Sequence, residues 1–555
     1  MRIDKRDLLT FTVLSVVFFS IAIWNLGMTQ TPLTTWQPTE TTRFYVDLAR
    51  FENINRVYFL VKSGSANVRV YTGSIGNWRY IGTFDIKSSY YRWRSFDINS
   101  KTQFLLFDFL QDSIEIAEMA VLSLDNQRVA IDAVTGEITS DPNLSRLIDE
   151  QELVQCPPTY MSESYFDEVY YVRTAETYLN LKLPYSWSHP PLGKLILTLG
   201  IAVFGYSPFG WRLMGVIFAT LMIPLIYILG KELFGTWIGA FASAFLLTFD
   251  FMNFTMGRMA TSDVYVAFFS LASQLFFLIY IKKVLKNGWK TSIFPLFLAV
   301  LFFAFGFSTK WIAFFGFTGQ IAILLALRLR DVIDIKDGLS AKIKLFSARP
   351  FFMLVFFLGL SVCIYFITYI PSILAGRSLI DVIDLQSSMF SYHSTLVSTH
   401  PFASKWWTWP LILRPLWLAL SRLPNEVVST VVAMGNPAVW WTGFIFVILN
   451  VGYAIRRKIF SSIFLTVLFF FQWLPYALIS RTTYLYHFYS CVPLLCLTTA
   501  YFLNKYGESK WGKVSVLAYF AVVVALFGLF YPAISGMPVS TSWIENLKWF
   551  ESWLF

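Results

Sequence analysis

Eleven stretches of this chain run for 13 to 22 residues without a single Asp, Glu, Lys or Arg. They are 8–27, 213–230, 237–249, 264–281, 291–309, 311–327, 351–371, 437–455, 459–480, 484–504 and 514–533. Each spans, or nearly spans, the roughly 30 Å apolar slab of a bilayer. Of the whole chain, only 14% is charged and 56% is hydrophobic, against about a quarter charged in a soluble domain. A disordered chain and a cytosolic enzyme are both excluded. The expected fold is a mainly α, polytopic membrane protein.

The chain opens Met1-Arg2-Ile3-Asp4-Lys5-Arg6-Asp7 before its first apolar run. That run is longer than a signal-peptide core, so it is read as a retained helix with its basic end inside. The apolar segment 195–206 has only 12 residues. That is short for a span and suits an interfacial piece. With 195–206 on the outer surface, the inner segments hold 20 Lys and Arg against 7 Asp and Glu. If it crossed, these basic loops would face outward, against the positive-inside rule. The N-terminus is therefore expected inside and the C-terminus outside. The net charge of +10 reports membrane sidedness, not a nucleic-acid partner.

Expected boundaries are 1–27 for the first helix and 28–160 for an extracytoplasmic β domain. An outer loop with an interfacial helix covers 161–210, and helices two to seven cover 211–371. A large outer loop occupies 372–436, helices eight to eleven 437–533, and an outer tail 534–555. Within 40–125, runs such as Val57-Tyr58-Phe59-Leu60-Val61 and Val68-Arg69-Val70-Tyr71 are strand-like and punctuated by Gly and Asn, which predicts an antiparallel β-sandwich. The run "VRVYTGSIGNWRYIG" resembles discoidin-like jelly-roll modules. A cap over the membrane domain is the plainer role.

Charges missing from the spans recur at their outer ends. Arg212, Asp250, Arg258, Asp263, Lys310, Arg414 and Arg481 lie there, with His189, His393, His400 and His487. Ionisable groups near a membrane core are costly and usually functional. The densest cluster is Tyr165-Phe166-Asp167-Glu168-Val169-Tyr170-Tyr171, followed by His189-Pro190-Pro191-Leu192-Gly193-Lys194. One well-placed carboxylate suffices as general base toward a hydroxyl. The four cysteines form no C-x-x-C pair, so a structural zinc site is not expected.

These two motifs resemble those of the protein O-mannosyltransferase family. So do "GWRLMGV" around Arg212, "GRMATSDVYVAFF" around Arg258 and Asp263, and "STKW" ending at Lys310-Trp311. The loop "YHSTLVSTHPFASKWWTWPLILRP", with "GNPAVWW" and "RTTYLYHFY", is similar to the same family over Tyr392–Tyr489. The 372–436 loop is too short for the MIR domain of eukaryotic members, so the resemblance is to the prokaryotic type. The inserted β domain is a departure from the family pattern.

The resemblance implies a GT-C type glycosyltransferase fold of about eleven transmembrane helices. It implies transfer of mannose from polyprenyl-phosphate-mannose to Ser or Thr of an acceptor protein, with inversion, on the outer face of the cell membrane. Asp167 would be the base, and Glu168 would orient it or touch substrate. Arg212 would hold the donor phosphate, with Arg481, Arg414 and Lys194 as alternatives. His189, Asp263, His393, His400, Trp406, Trp407 and His487 would orient or contact substrates. No metal or other cofactor is required. The partners are the lipid-linked donor, the protein acceptor and the bilayer. The nearest rival is a related enzyme with a lipid acceptor, as in the aminoarabinose transferases. A transporter would place charges near the bilayer midplane and carry internal repeats, whereas these spans are free of charge and show no repeat; a membrane-anchored sugar-binding protein leaves the outer charges unexplained.

Overall fold

The computed structural model describes residues 3–38, 42–110, 113–333, 349–396 and 399–555. The part of the basic inner stretch at 334–348 lies outside them. Apolar runs become helices because a bilayer leaves the backbone no other way to satisfy its polar groups. These are α1 (Lys5–Ile23), α4 (Pro208–Phe234), α5 (Trp237–Thr248), α6 (Phe251–Gly257), α7 (Asp263–Asn287), α8 (Phe294–Phe307) and α9 (Ala313–Ile333). Later ones are Arg349–Ile367, Pro437–Arg457, Phe460–Trp473, Val492–Tyr506 and Lys510–Ser535. Two shorter helices outside this set, α2 (Glu168–Leu179) and α3 (Leu192–Phe204), follow the β domain.

Among the described residues, eight helices are long and apolar enough to cross a membrane, and nine if the bent pair α5–α6 counts as one. The other two expected spans are short. Helix α8 has 14 residues and 492–506 has 15. The latter is preceded by seven residues of 3-10 helix, Leu485–Cys491, which adds about 14 Å to about 22 Å of α-helix. The α5–α6 bend of 55° has a chemical cause. Asp250 caps α6 by accepting from Asn253 N at 3.1 Å, and it also accepts from Trp440 Nε1 at 2.8 Å.

Contacts sort the helix ends into two sets. At one end, Asp7 accepts from Tyr227 Oη at 2.7 Å and from Lys231 Nζ at 2.9 Å. Thr236 there donates to Asn504, and Ser461 to the Leu233 carbonyl. The basic residues at 231, 282–290, 456–458 and 505 belong to this end. At the opposite end, Arg258 gathers carbonyls that finish two helices. Nη1 donates to Ala22 and Trp24, and Nη2 to Asn25 and Ser535, all within 3.1 Å. A cation there satisfies helix C-terminal carbonyls that the membrane would otherwise strand. Helices α4 and α6 touch backbone to backbone. A Cβ at Gly215 would lie 2.5 Å from the Gly257 carbonyl oxygen, so small residues are needed.

The β domain is one long hairpin folded over on itself. Strands β1 (Arg43–Ser74) and β2 (Asn77–Phe109) pair antiparallel along their length. The 104–109 stretch of β2 also pairs with 68–73 of β1, having 43–47 on its other side. Strand β3 (Ser113–Ser123) extends the layer formed by 54–65, and the short strands β4 (Arg128–Val129) and β5 (Ala133–Gly136) pair with β3 and with the start of β1, respectively. Alternation explains the two faces. Val57, Phe59 and Val61 fill the interior of the sandwich. Tyr58 and Leu60 point the other way and pack with Tyr171, Val172, Leu197 and Trp211. The apolar run at 57–61 is therefore buried on both sides, the pattern expected of a covered sheet.

The 372–436 segment, expected as a large outer loop, contains regular elements among its described residues. It holds a helix at Leu379–Thr395 with a capping box between Ser378 and Asp381, then the hairpin β6 (Leu416–Leu423) and β7 (Val427–Ala433). The expected outer tail is also structured. Val539–Ser540 adds a strand to β7, and the buried Trp553 donates to the Ile412 carbonyl at 2.7 Å.

Replacing Arg258 with Ala removes the donor from four carbonyls, of which those of Ala22 and Ser535 are buried. We expect a loss of roughly 3 kcal/mol, read as a lowered thermal-unfolding midpoint of the purified protein in detergent. An unchanged midpoint would contradict the tethering role.

Candidate functional site

A cavity of about 440 Å³ opens at the end where Arg258 lies. Its walls come from the start of α2, the 185–189 loop, Lys310 between α8 and α9, the end of the 379–395 helix, and the 481–487 segment. Asp167 is the only carboxylate among the described lining residues. It stands at the N-cap of α2 but does not spend its side chain on capping. The residue before it, Phe166, has φ +48°, a left-handed conformation that costs a non-glycine residue about 1 kcal/mol or more.

The neighbouring carboxylate has the opposite fate. Glu168 is wholly buried and accepts four hydrogen bonds. Oε1 takes Arg212 Nε at 2.9 Å and Ala260 N at 2.9 Å; Oε2 takes Arg212 Nη2 at 2.8 Å and Tyr165 N at 3.2 Å. The remaining Arg212 donors go to the carbonyls of Leu26, Tyr160 and Glu163. All five N–H groups are thus engaged, and the guanidinium has no exposure. The donor-phosphate role expected for Arg212 does not fit this placement. Lys194 is likewise corrected. It is buried, and its ammonium donates to the carbonyls of Ser186 at 2.6 Å and His189 at 2.9 Å. It shapes the loop and does not line the cavity.

Two cations do face the cavity. Lys310 is paired to both carboxylate oxygens of Asp263 at 2.8 Å. Among the described residues Arg481 has no carboxylate partner; its Nη1 donates to His393 Nδ1 at 2.7 Å. The other His393 nitrogen, Nε2, meets the Ser188 carbonyl at 2.6 Å. A carbonyl only accepts, so Nε2 carries the proton and Nδ1 is the acceptor. His393 is therefore a neutral imidazole, and burial beside Arg481 pushes its pKa down to about 4. His189 stacks on it at 4.8 Å and is held neutral by burial and by the surrounding cations. Burial pushes the Asp167 carboxyl up to about 6, which Lys310 and Arg481 oppose and Asp263 reinforces.

Of the remaining expected residues, His487 lines the cavity. His400 is exposed outside the lining and packs edge-on against Tyr484. Arg414 precedes β6, away from the cavity. Trp406 packs on Trp473 at 5.2 Å, and Trp407 is exposed elsewhere; neither lines the site. The aromatic wall is made instead by Tyr170, Tyr185, Trp187, Tyr392, Tyr484 and Tyr486. The sequence reading counts Lys310 among the outer charges but gives neither it nor these rings a particular role. Their signal was position, since they flank the quoted motifs at Asp167, His189, Lys310, His393 and Arg481. Among the described residues no three His, Cys, Asp or Glu side chains converge to hold a metal ion.

Residues 188–340 match the family model described as dolichyl-phosphate-mannose-protein mannosyltransferase. Residues 378–553 match the C-terminal four TMM region of protein-O-mannosyltransferase. A polyprenol-phosphate-mannose–protein mannosyltransferase of Mycobacterium tuberculosis is 26% identical over 427 residues, covering 66% of this chain and 80% of the relative. The Mycolicibacterium smegmatis protein of the same name is 26% identical over 445 residues, covering 66% and 81%. The Saccharomyces cerevisiae protein O-mannosyltransferase Pmt1-Pmt2 complex bound to the sugar donor has a chain of like fold. Its TM-score is 0.61 at 14% identity, over 71% of this chain and 89% of that one.

Replacing Glu168 with Ala leaves the Arg212 charge buried without its carboxylate. Breaking such a pair costs about 3–5 kcal/mol. We expect poor insertion or a much lower unfolding midpoint, measured by yield and thermal shift. A variant as stable as wild type would show that the pair does not hold the loop.

Proposed function

The chain belongs to the protein O-mannosyltransferase family, and on that premise we propose that it moves mannose from polyprenyl-phosphate-mannose to Ser or Thr hydroxyls of proteins. The observation that carries this reading to a site is Asp167, an unspent carboxylate in a cavity that also holds Lys310 and Arg481. Eleven spans are part of the reading, with α8 and 492–506 crossing. The cavity faces outward, because the opposite end carries the Lys- and Arg-rich segments.

The chemistry follows from what each group can accept. The polyprenyl tail stays in the bilayer, so phosphate and sugar emerge beside the cavity. Asp167 takes the proton from the acceptor hydroxyl as its oxygen bonds to C1 of mannose. The bond from C1 to the phosphate oxygen breaks on the opposite face, and the electron pair leaves with the phosphate. An in-line path of this kind inverts the configuration at C1. Arg481 meets the growing phosphate charge, since a guanidinium donates in a planar fork. Its neutral His393 support leaves that charge undiminished. Lys310, already balanced by Asp263, tunes and positions Asp167. The neutral histidine pair lends rigidity without competing for the proton.

Membranes with labelled polyprenyl-phosphate-mannose and a Ser/Thr-rich peptide test the reaction, with mass spectrometry locating the sugar. Labelled lipid in place of labelled peptide would favour the lipid-acceptor alternative. Asp167→Asn should abolish transfer in a protein that still inserts and unfolds at the wild-type temperature; wild-type turnover would remove Asp167 from the mechanism. A base must be ionised to act, so kcat should rise with pH through about 6 and fall about tenfold per unit below it. A rate independent of pH from 5 to 8 would contradict the assignment. The reaction is also proposed to be metal-independent. EDTA-stripped enzyme should keep its turnover, and restoration by Mg²⁺ of a lost activity would refute that.

A further inference from the structure

The β domain grips the active-site loop on both sides of Asp167. Upstream, Ser164 donates twice to β2, from its backbone N to the Tyr91 carbonyl at 2.9 Å and from Oγ to the Tyr90 carbonyl at 2.6 Å. Its neighbour Glu163 accepts from Trp93 N at 2.9 Å. Ser164 is fully buried, so these bonds are shielded from water. Strand β2 is bent to meet them, with Tyr91 itself at φ +50°. Downstream, Glu176 on α2 accepts from Lys62 Nζ at 2.7 Å and from the Tyr90 hydroxyl. Tyr206, just before α4, completes the cluster through Lys62 at 2.9 Å and Tyr90 at 2.8 Å. Tyr90 therefore bonds the loop with its backbone and α2 with its side chain.

Between these two grips the chain must pass through Phe166 at its left-handed φ and deliver Asp167 to the cavity. A conformation of that kind persists only where its surroundings over-determine it. The Glu168–Arg212 fork supplies one set of constraints from the membrane helices. The contacts of Ser164, Glu163 and Glu176 supply another from the β domain. A simple cap would need only the apolar packing of Tyr58, Tyr91 and Trp93 against Trp211 and its neighbours. It would have no reason to place three hydrogen bonds on the two residues that lead into the catalytic turn.

We infer that the β domain positions Asp167 for catalysis, with Ser164 and Tyr90 as positioning residues. The inference rests on Asp167 acting as the base. A misplacement of about 1 Å can cost up to a hundredfold in rate, so loosening either grip should appear in kcat.

The experiment uses the full-length enzyme in detergent or nanodiscs, with the folded fraction measured for each variant. Ser164→Ala removes the Oγ contact, and Tyr90→Phe removes the hydroxyl while keeping the ring. Tyr80→Ala, on an exposed stretch of β2, serves as the control. We expect Ser164→Ala to lower kcat per folded enzyme by on the order of tenfold, with KM for donor and peptide within twofold of wild type. Tyr90→Phe should lower kcat less, the double variant more than either, and Tyr80→Ala not at all. Wild-type kcat per folded enzyme in both single variants overturns the inference, as does a change confined to KM. Asp167→Asn separates the two levels. If it is inactive while Ser164→Ala and Tyr90→Phe are normal, the base stands and the brace falls. If it turns over normally, the reading of the site itself has failed.

Discussion

The buried fork between Arg212 and Glu168 is the interaction on which the cavity end of the molecule depends. It joins the exit of α1 at Leu26, the loop carbonyls of Tyr160 and Glu163, the start of α2, the first turns of α4 and the backbone at Ala260. Burying two charges is expensive, and Coulomb attraction alone rarely repays it. Here every donor of the guanidinium and both carboxylate oxygens are used, which is the condition under which a buried polar network becomes rigid. Asp167 is the residue next to that anchor, so it inherits a fixed position while keeping its own carboxylate unspent.

Around this anchor the charges at the helix ends divide into two trades. Arg258, Asp250 and Lys194 satisfy backbone groups that would otherwise be stranded at a helix end or in a tight loop. Asp167, Lys310 and Arg481 face the cavity. The membrane creates the first trade, since water is not there to solvate carbonyls. The second depends on the first, because the cavity keeps its shape only while its walls are pinned.

Among the described residues, eight or nine of the eleven expected spans are helices long and apolar enough to cross, legible in the sequence because a bilayer tolerates so few alternatives. The strand reading of 40–125 rested on alternation and Gly–Asn punctuation, and the paired strands follow it. What escaped were features decided by tertiary contact. Asp167 and Glu168 are adjacent and alike in charge. Which one faces the cavity is set by the roughly 100° between successive helical side chains and by an arginine 44 positions further on. The role expected of Arg212 failed for the same reason, since nothing local reveals that its donors are all taken. Trp406 and Trp407 suit sugar-facing surfaces by type, yet packing on Trp473 and exposure elsewhere take them from the site. The helix at 379–395 had a readable signal in Ser378 and Asp381, overshadowed by the motif residues that follow it.

The left-handed turn at Phe166 has a consequence for how the molecule comes to life. No glycine makes that turn easy, so its neighbours are held from distant parts of the chain, by β2 and then by Arg212 and Ala260, while Phe166 itself packs edge-on against Tyr486 across the cavity. Of these partners Tyr486 lies furthest along the chain. A chain that stops short of Tyr486 lacks part of the packing around this turn, however complete its sandwich is.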